Sequence, residues 1–314
     1  MEEGKPSKSA ITASLNRAAH LFLDGESKIF RDEFAIGFSG LRSEAELNDA
    51  LEVLQKQLGQ GNTAEFARAF LQSYRGFAVV RHRYTEDELT KALKRGVSQY
   101  VILGAGLDSF AYRRRDLEGK LRVFEVDYPA TQQGKKARLR EFKISLPRNL
   151  IFVPVDFEKQ RLTDELYAHG FQKDAPAFFS MLGVAPYLTE TAVYQTLREI
   201  ASMAPGSEIV FEYLLLESLL NDEDRQLVVG GRAPGREEPW LSQFDPVVLA
   251  QRLKEMGFTE VQDFGPEEAN NLYFAGRTDE LSPYALDGLS ISILRIAHLM
   301  KARVGGKPKL KKPL

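Results

Sequence analysis

Gly104 and Gly106 close the apolar run of QYVILGAGLDSF, and aspartates follow at Asp127 in VFEVDYP and Asp156 in VPVDF. Two glycines at a strand end permit positive φ and let a ligand approach the backbone closely. The same pair could also serve only a tight turn. An acid about 20 residues on, at the end of the next strand, is placed to accept hydrogen bonds from ribose hydroxyls. Asp127 lies 21 residues past Gly106. Glu125 competes for that role, because side chains two apart on a strand share a face. Asp127 is nearer the strand end and is preferred; it is also preferred to Asp108, the conspicuous charge inside the turn. Asp156 is placed to accept from an adenine amino group, and Phe157 to make an apolar contact. Ser109 stands where a GxGxxG dinucleotide pattern has its third glycine, and the turn lacks the lysine of a phosphate-binding loop. A glycine turn followed by two strand-end acids suits adenosine without a pyrophosphate. That favours S-adenosyl-L-methionine over NAD or ATP.

The elements that would position these residues alternate from residue 99 onward. QYVILG, LRVFEVDYP, NLIFVPVDF, AFFSMLGVAPYL and SEIVFEYLLL read as strands. TQQGKKARLREFK, TETAVYQTLREIASMAPG and FDPVVLAQRLKEMGF read as helices between or after them. Continuous apolar strands alternating with helices predict a mostly parallel sheet covered on both faces. FTEVQDFG and NLYFAGR read as two further strands, too close for a crossover, pairing antiparallel at the sheet edge. ISILRIAHLMKARV reads as a closing helix. The first hundred residues read as four helical stretches. SEAELNDALEVLQKQL opens with a capping-box pattern, Ser43 and Glu46, and TEDELTKALKRG has Thr85 placed as N-cap and Gly96 as stop.

The 314-residue chain carries a net charge of −2, which gives no global reason to expect nucleic acid or an anionic membrane as partner. Cysteine is absent, so disulfides and thiolate metal sites are excluded. The four histidines show no metal-binding spacing. No apolar run approaches the length of a membrane span. A cytoplasmic protein with a small-molecule substrate is expected; the oligomeric state is open. The tail KPKLKKPL is basic and proline-broken and reads as solvated.

In order and spacing, QYVILGAGLDSFAYR, VFEVDYPATQQGKKARL, VPVDF and FFSMLGVAPYLT resemble the leucine carboxyl methyltransferase family, whose bacterial branch includes S-adenosylmethionine-dependent O-methyltransferases and the tetracenomycin polyketide synthesis O-methyltransferase. The resemblance covers most of the chain. It implies an α/β class I methyltransferase fold, Rossmann-like, with a mostly parallel sheet, an antiparallel edge strand and a helical N-terminal lid. The corresponding regions are a lid over 1–96, an S-adenosylmethionine-binding core over 97–304 and a basic flexible tail over 305–314. It further implies Gly104 and Gly106 as the cofactor turn, Asp127 as ribose acid, and Asp156 with Phe157 as adenine contacts. Arg81 in VVRHRY matches the arginine that holds the methionine carboxylate, with Arg83 as competitor. Many relatives carry an acid just before the glycine of the fourth strand; here that position is Leu182.

A carboxylate acceptor is ionised at neutral pH and needs no general base, whereas an alcohol or phenol needs one or prior ionisation. No dedicated base is evident. Tyr187, Tyr213 and His20 are the catalytic candidates, and Glu212 is a further pocket residue. The implied activity is O-methylation of a carboxylate or hydroxyl on a small molecule, such as a polyketide-type metabolite. The alternatives are an NAD-dependent oxidoreductase and a non-catalytic cofactor-binding homologue.

Overall fold

Ser7, Ser43 and Thr63 each begin a helix in the same way, with a side-chain hydroxyl accepting the N–H three residues on at 3.1–3.2 Å. Such caps satisfy donors that the first helical turn leaves unpaired. In the computed structural model, which describes residues 7–25, 27–60, 63–233, 237–279, 281 and 292–306, these caps start three of the four leading helices. They are α1 (Lys8–Leu23), α3 (Glu44–Leu58) and α4 (Ala64–Lys94); the short α2 (Ala35–Ser39) lies between the first two. Only half of the expected capping box forms at α3, because the Glu46 carboxylate reaches the Arg42 N–H instead of Ser43. Helix α4 is one 31-residue helix where two stretches were expected. Thr85 is not a cap. It sits mid-helix with Oγ1 donating to the Arg81 carbonyl at 2.7 Å. Gly96, with φ +94°, ends the helix as expected.

The strands are β1 (Gln99–Leu103), β2 (Arg122–Asp127), β3 (Leu150–Pro154), β4 (Ala177–Met181), β5 (Glu208–Leu214), β6 (Phe258–Phe264) and β7 (Ala297–Val304). They form one sheet in the order β3-β2-β1-β4-β5-β7-β6. The first five run parallel, and β7 is antiparallel to both β5 and β6. Strands β1, β4 and β5 are buried at every position, which is why they read as continuous apolar runs. The connecting helices are α5 (Phe110–Arg113), α6 (Pro129–Glu141), α7 (Leu162–Ala168), α8 (Glu190–Ala201), α9 (Asp222–Gly231), α10 (Pro246–Met256) and α11 (Pro266–Ala269).

Two expectations fail at the sheet's far side. The first four residues of NLYFAGR fall in a π-helical turn, Asn270–Phe274, not in a strand. The segment read as a closing helix, from Ser292 on, is a short 3-10 turn followed by β7. Strand β7 therefore supplies the antiparallel neighbour of β6, from the second position in the sheet. Among the described residues no helix is long and apolar enough to cross a membrane. The basic tail from residue 307, and Ile291 of the expected closing helix, lie outside the described residues.

Candidate active site

The chain turns sharply where β1 ends. Gly104 has φ +63° and Gly106 φ +44°. A Cβ on Gly104 would stand 2.2 Å from Val184 Cγ2, so no larger residue fits the turn as it stands. The Gly106 N–H donates to Asp127 Oδ2 at 2.5 Å, and the Tyr128 N–H donates to Oδ1 at 2.7 Å. Turn and neighbouring strand end thus hold each other. Burial pushes the Asp127 carboxyl up to about 6 against the two amide donors, although its cavity side remains partly accessible.

Glu125 shares that strand face but ends elsewhere. It is sealed beneath α6 against Lys135 Nζ at 2.7 Å, an ion-pair contact whose direction satisfies neither oxygen as a hydrogen bond. Burial raises it to about 7, with Lys135 pulling the other way. Only Asp127 reaches the cavity.

That cavity, of about 520 Å³, opens over the carboxyl ends of the parallel strands. It brings together Gly104, Gly106, Asp127, Asp156 and Phe157, with Arg81 and Tyr187 across from them. Asp156 caps its own loop, Oδ1 accepting the Glu158 N–H at 3.1 Å. Asp108, though in the wall, is occupied with the Phe110 N–H at 2.7 Å. Residues two apart on a helix point to opposite sides, and this separates the two arginines. Arg81 faces the cavity with its side chain 7% exposed; Arg83 is 47% exposed and pairs with Asp87 at 3.0 Å. Arg81 Nη1 donates to Glu212 Oε2 at 2.6 Å, and the Gly183 N–H donates to the same oxygen at 2.8 Å.

Two catalytic candidates do not reach the cavity. Tyr213 alternates with Glu212 along β5 and points to the other face, where its hydroxyl donates to Asp263 Oδ1 at 2.6 Å. His20 is fully buried in α1, with Nδ1 at 2.6 Å from Asp24 Oδ2 and Nε2 accepting the Phe30 N–H at 3.3 Å. Neither nitrogen is free to act as a base.

Sequence reasoning passed over several wall residues. Phe70, Tyr74 and Phe77 line the cavity from α4, and Phe66, Phe70 and Tyr74 stack one turn apart. Their helical spacing reads equally well as ordinary core. Trp240 is the chain's single tryptophan, and only that singularity could have drawn attention to it. Burial drives Tyr74 up to about 12 and also raises Tyr187.

A buried ionic network ties α1 to the glycine turn. Arg17 Nε meets Asp32 Oδ2 at 2.8 Å, and Arg17 Nη2 donates to the Leu107 carbonyl at 2.7 Å. Ser109 donates to Asp32 Oδ2 at 2.7 Å, which gives the residue in the third-glycine position a bond of its own. Burial alone would raise Asp32, but the guanidinium groups of Arg17 and Arg113 outweigh it and hold the carboxyl below its ordinary value. His82 lies between Arg17 Nη1 at 3.4 Å and Asp108 Oδ2 at 3.5 Å. Burial first, then the nearby arginines, keep it far below its ordinary value and hence neutral at pH 7.

These residues fit an adenosyl group bearing an amino-acid tail. The turn tolerates no Cβ at Gly104, Asp127 offers an acceptor at the next strand end, and Arg81 Nε is a buried donor without a partner among the described residues. The profile of the leucine carboxyl methyltransferase family matches residues 10–201, more than half of the chain. YktD of Bacillus subtilis (strain 168), provisionally named an S-adenosyl-L-methionine-dependent methyltransferase, is 38% identical over 211 residues, 66% of this chain and 68% of that protein. A Mycobacterium bovis (strain BCG / Pasteur 1173P2) protein with the same provisional description is 33% identical over 195 residues, 62% of this chain and 59% of its own length. A crystal structure from Thermobifida fusca YX, provisionally described as a methyltransferase, superposes with a TM-score of 0.57 at 15% identity, covering 97% of each chain, and so shows the fold. The oxidoreductase alternative falls away with these matches. The chain belongs to the leucine carboxyl methyltransferase family, and its cofactor is S-adenosylmethionine.

Proposed function

We propose that the protein transfers the methyl group to an oxygen of a small molecule, a carboxylate or an acidic hydroxyl such as that of a polyketide-type metabolite. In this reading Asp127 accepts from the ribose, Asp156 and Phe157 contact the adenine, and Arg81 takes the methionine carboxylate. Bound S-adenosylmethionine supplies a methyl group already activated by its sulfonium charge. The chain's task is then to align the acceptor and exclude water. The aromatic wall of Phe70, Tyr74, Tyr187 and Trp240 suits that task.

The observation that carries the reading is the state of the titratable groups in the cavity wall. His82 is kept neutral with both ring nitrogens facing other groups. Tyr74 and Tyr187 are raised away from neutrality. Glu212 is bound to Arg81 and Gly183, and Glu238 accepts the Lys8 and Ser9 N–H groups at the start of α1. An acceptor that arrives ionised needs none of them. A cytoplasmic setting agrees with the absence of cysteine.

The test is methyl transfer from labelled donor over carboxylic acids, phenols, amines and thiols, with the modified atom located by mass spectrometry. Esters or aryl ethers are expected. Turnover confined to nitrogen, sulfur or carbon acceptors would contradict the reading, as would no turnover by protein that binds cofactor.

A further inference from the structure

Gly231 ends α9 with an ordinary helical backbone, so its conformation alone would admit any residue. Space is what a side chain lacks there. A Cβ on Gly231 would stand 2.1 Å from Trp240 Cε3 and 2.5 Å from both Cδ2 and Cζ3. Near-equal distances to one ring atom and both its ring neighbours put that point over the face of the indole, not at its edge. The glycine backbone is therefore the seat of one indole face. The chain around the ring is pinned as well. The Trp240 N–H donates to the Gly231 carbonyl at 3.1 Å, and the Leu241 N–H donates to the Pro186 carbonyl at 2.6 Å. Ser242 Oγ donates to the Ala185 carbonyl at 2.7 Å. The ring itself is half-buried and lines the cavity. Among the described residues no other aromatic ring lies within stacking distance of it.

The order of the sheet says what meets this ring. Asp156 and Phe157 follow β3, whereas Pro186, which anchors the indole segment, follows β4, three strands along. Trp240 thus stands across the cavity from the residues that suit adenine. Its neighbours there are Tyr187, whose hydroxyl has Trp240 and Ser9 beside it, and the start of α1, where Glu238 accepts the Lys8 and Ser9 N–H groups. This is the side from which a methyl acceptor has to approach. An indole fixed in place, with no ring stacked on it, favours a planar aromatic partner over a saturated one of the same size, because ring quadrupoles add to apolar burial.

We propose that Trp240 is the platform on which the methyl acceptor stacks, that Gly231 is the residue that positions it, and that the acceptor is a planar, aromatic-ring compound. This assignment rests on the cavity being the site of methyl transfer, as proposed above, and holds whichever atom of the acceptor is methylated. A side chain at position 231 would push the indole off α9 and into the space the acceptor needs. A Trp240 that served only as packing would not tell an aromatic acceptor from its saturated counterpart.

Matched pairs of probes separate the two roles in the full chain. Phenylacetate is compared with cyclohexylacetate, and benzylamine with cyclohexylmethylamine, as acceptors from labelled S-adenosylmethionine. The same probes are titrated against Trp240 fluorescence with S-adenosylhomocysteine bound; the chain's single tryptophan makes that signal assignable. The wild type should prefer the aromatic member of a pair by at least about threefold, in kcat/KM or in affinity. Trp240→Leu should abolish that preference and keep its affinity for S-adenosylhomocysteine within about twofold. Gly231→Ala should shift the Trp240 emission and weaken the aromatic probe at least about fivefold, with the loss on KM more than on kcat. Equal wild-type handling of aromatic and saturated probes overturns the proposal, as does no turnover and no fluorescence response with any of them. A variant that loses S-adenosylhomocysteine in step with the acceptor also overturns it, since Trp240 would then serve the cofactor. If Gly231→Ala does not fold, as judged by circular dichroism, the wild type and Trp240→Leu decide. Transfer to benzylamine alone, with the aromatic preference intact, would sustain the platform and contradict only the oxygen acceptor.

Discussion

Asp127 combines two backbone donors with a desolvated position, and the second dominates. Its carboxyl, raised from the ordinary 3.8 to about 6, favours folding only when protonated. The cost of burying it is therefore absent below the ordinary value and fully present above about 6. Ribose hydroxyls donate to the ionised form, so binding must displace a proton when the pH falls below about 6. Affinity for S-adenosylhomocysteine should accordingly drop as pH falls from 7.5 to 5, by up to about tenfold per unit below the transition. Asp127→Asn should bind weakly and without that slope. Calorimetry across the range checks both; a flat wild-type profile would count against the ribose role. The position of Asp127 was legible because strand, glycine turn and spacing agree. The burial of Glu125 was not, since it depends on Lys135 arriving from α6. Arg81 could not be separated from Arg83 until the helix carrying both was placed.

At the scale of elements, the leading helices are held by charge as well as by packing. Asp32 is wholly buried between Arg17, Arg113 and Ser109, and through Arg17 it links α1 to the Leu107 carbonyl. Breaking a buried pair leaves an uncompensated charge, a loss of about 3–5 kcal/mol. Asp32→Asn should lower stability to denaturant by roughly that amount. An unchanged unfolding midpoint would show that apolar contacts alone hold α1. The elements misread from sequence have a common physical cause. Strand β7 buries the adjacent Leu299 and Met300, so AHLMKARV lacks clean alternation and its apolar positions also suit a helix. Thr85 followed by three acidic or amide-accepting positions imitates a cap, but the packing of α4 against the sheet carries the helix straight through it. Local signals of this kind yield to tertiary context.

For the whole molecule, the parallel half of the sheet supplies an ordered row of strand ends, and α1 and α4 roof it. Chemistry enters only where the row meets the roof, at a cavity with a polar floor and an aromatic wall. The floor was readable because close backbone approach demands glycine and a strand-end acid. The wall was not, because Phe70, Tyr74 and Trp240 come from segments whose relative placement no local pattern encodes. The most direct measurement is a calorimetric titration of S-adenosylhomocysteine into the wild type and Asp127→Ala at pH 7.5. One ligand should bind per chain, and the variant should bind at least about tenfold more weakly, a loss of about 1.4 kcal/mol, with its fold intact. Equal affinity in the two proteins, or no binding by the folded wild type, would contradict the placement of the cofactor in this cavity.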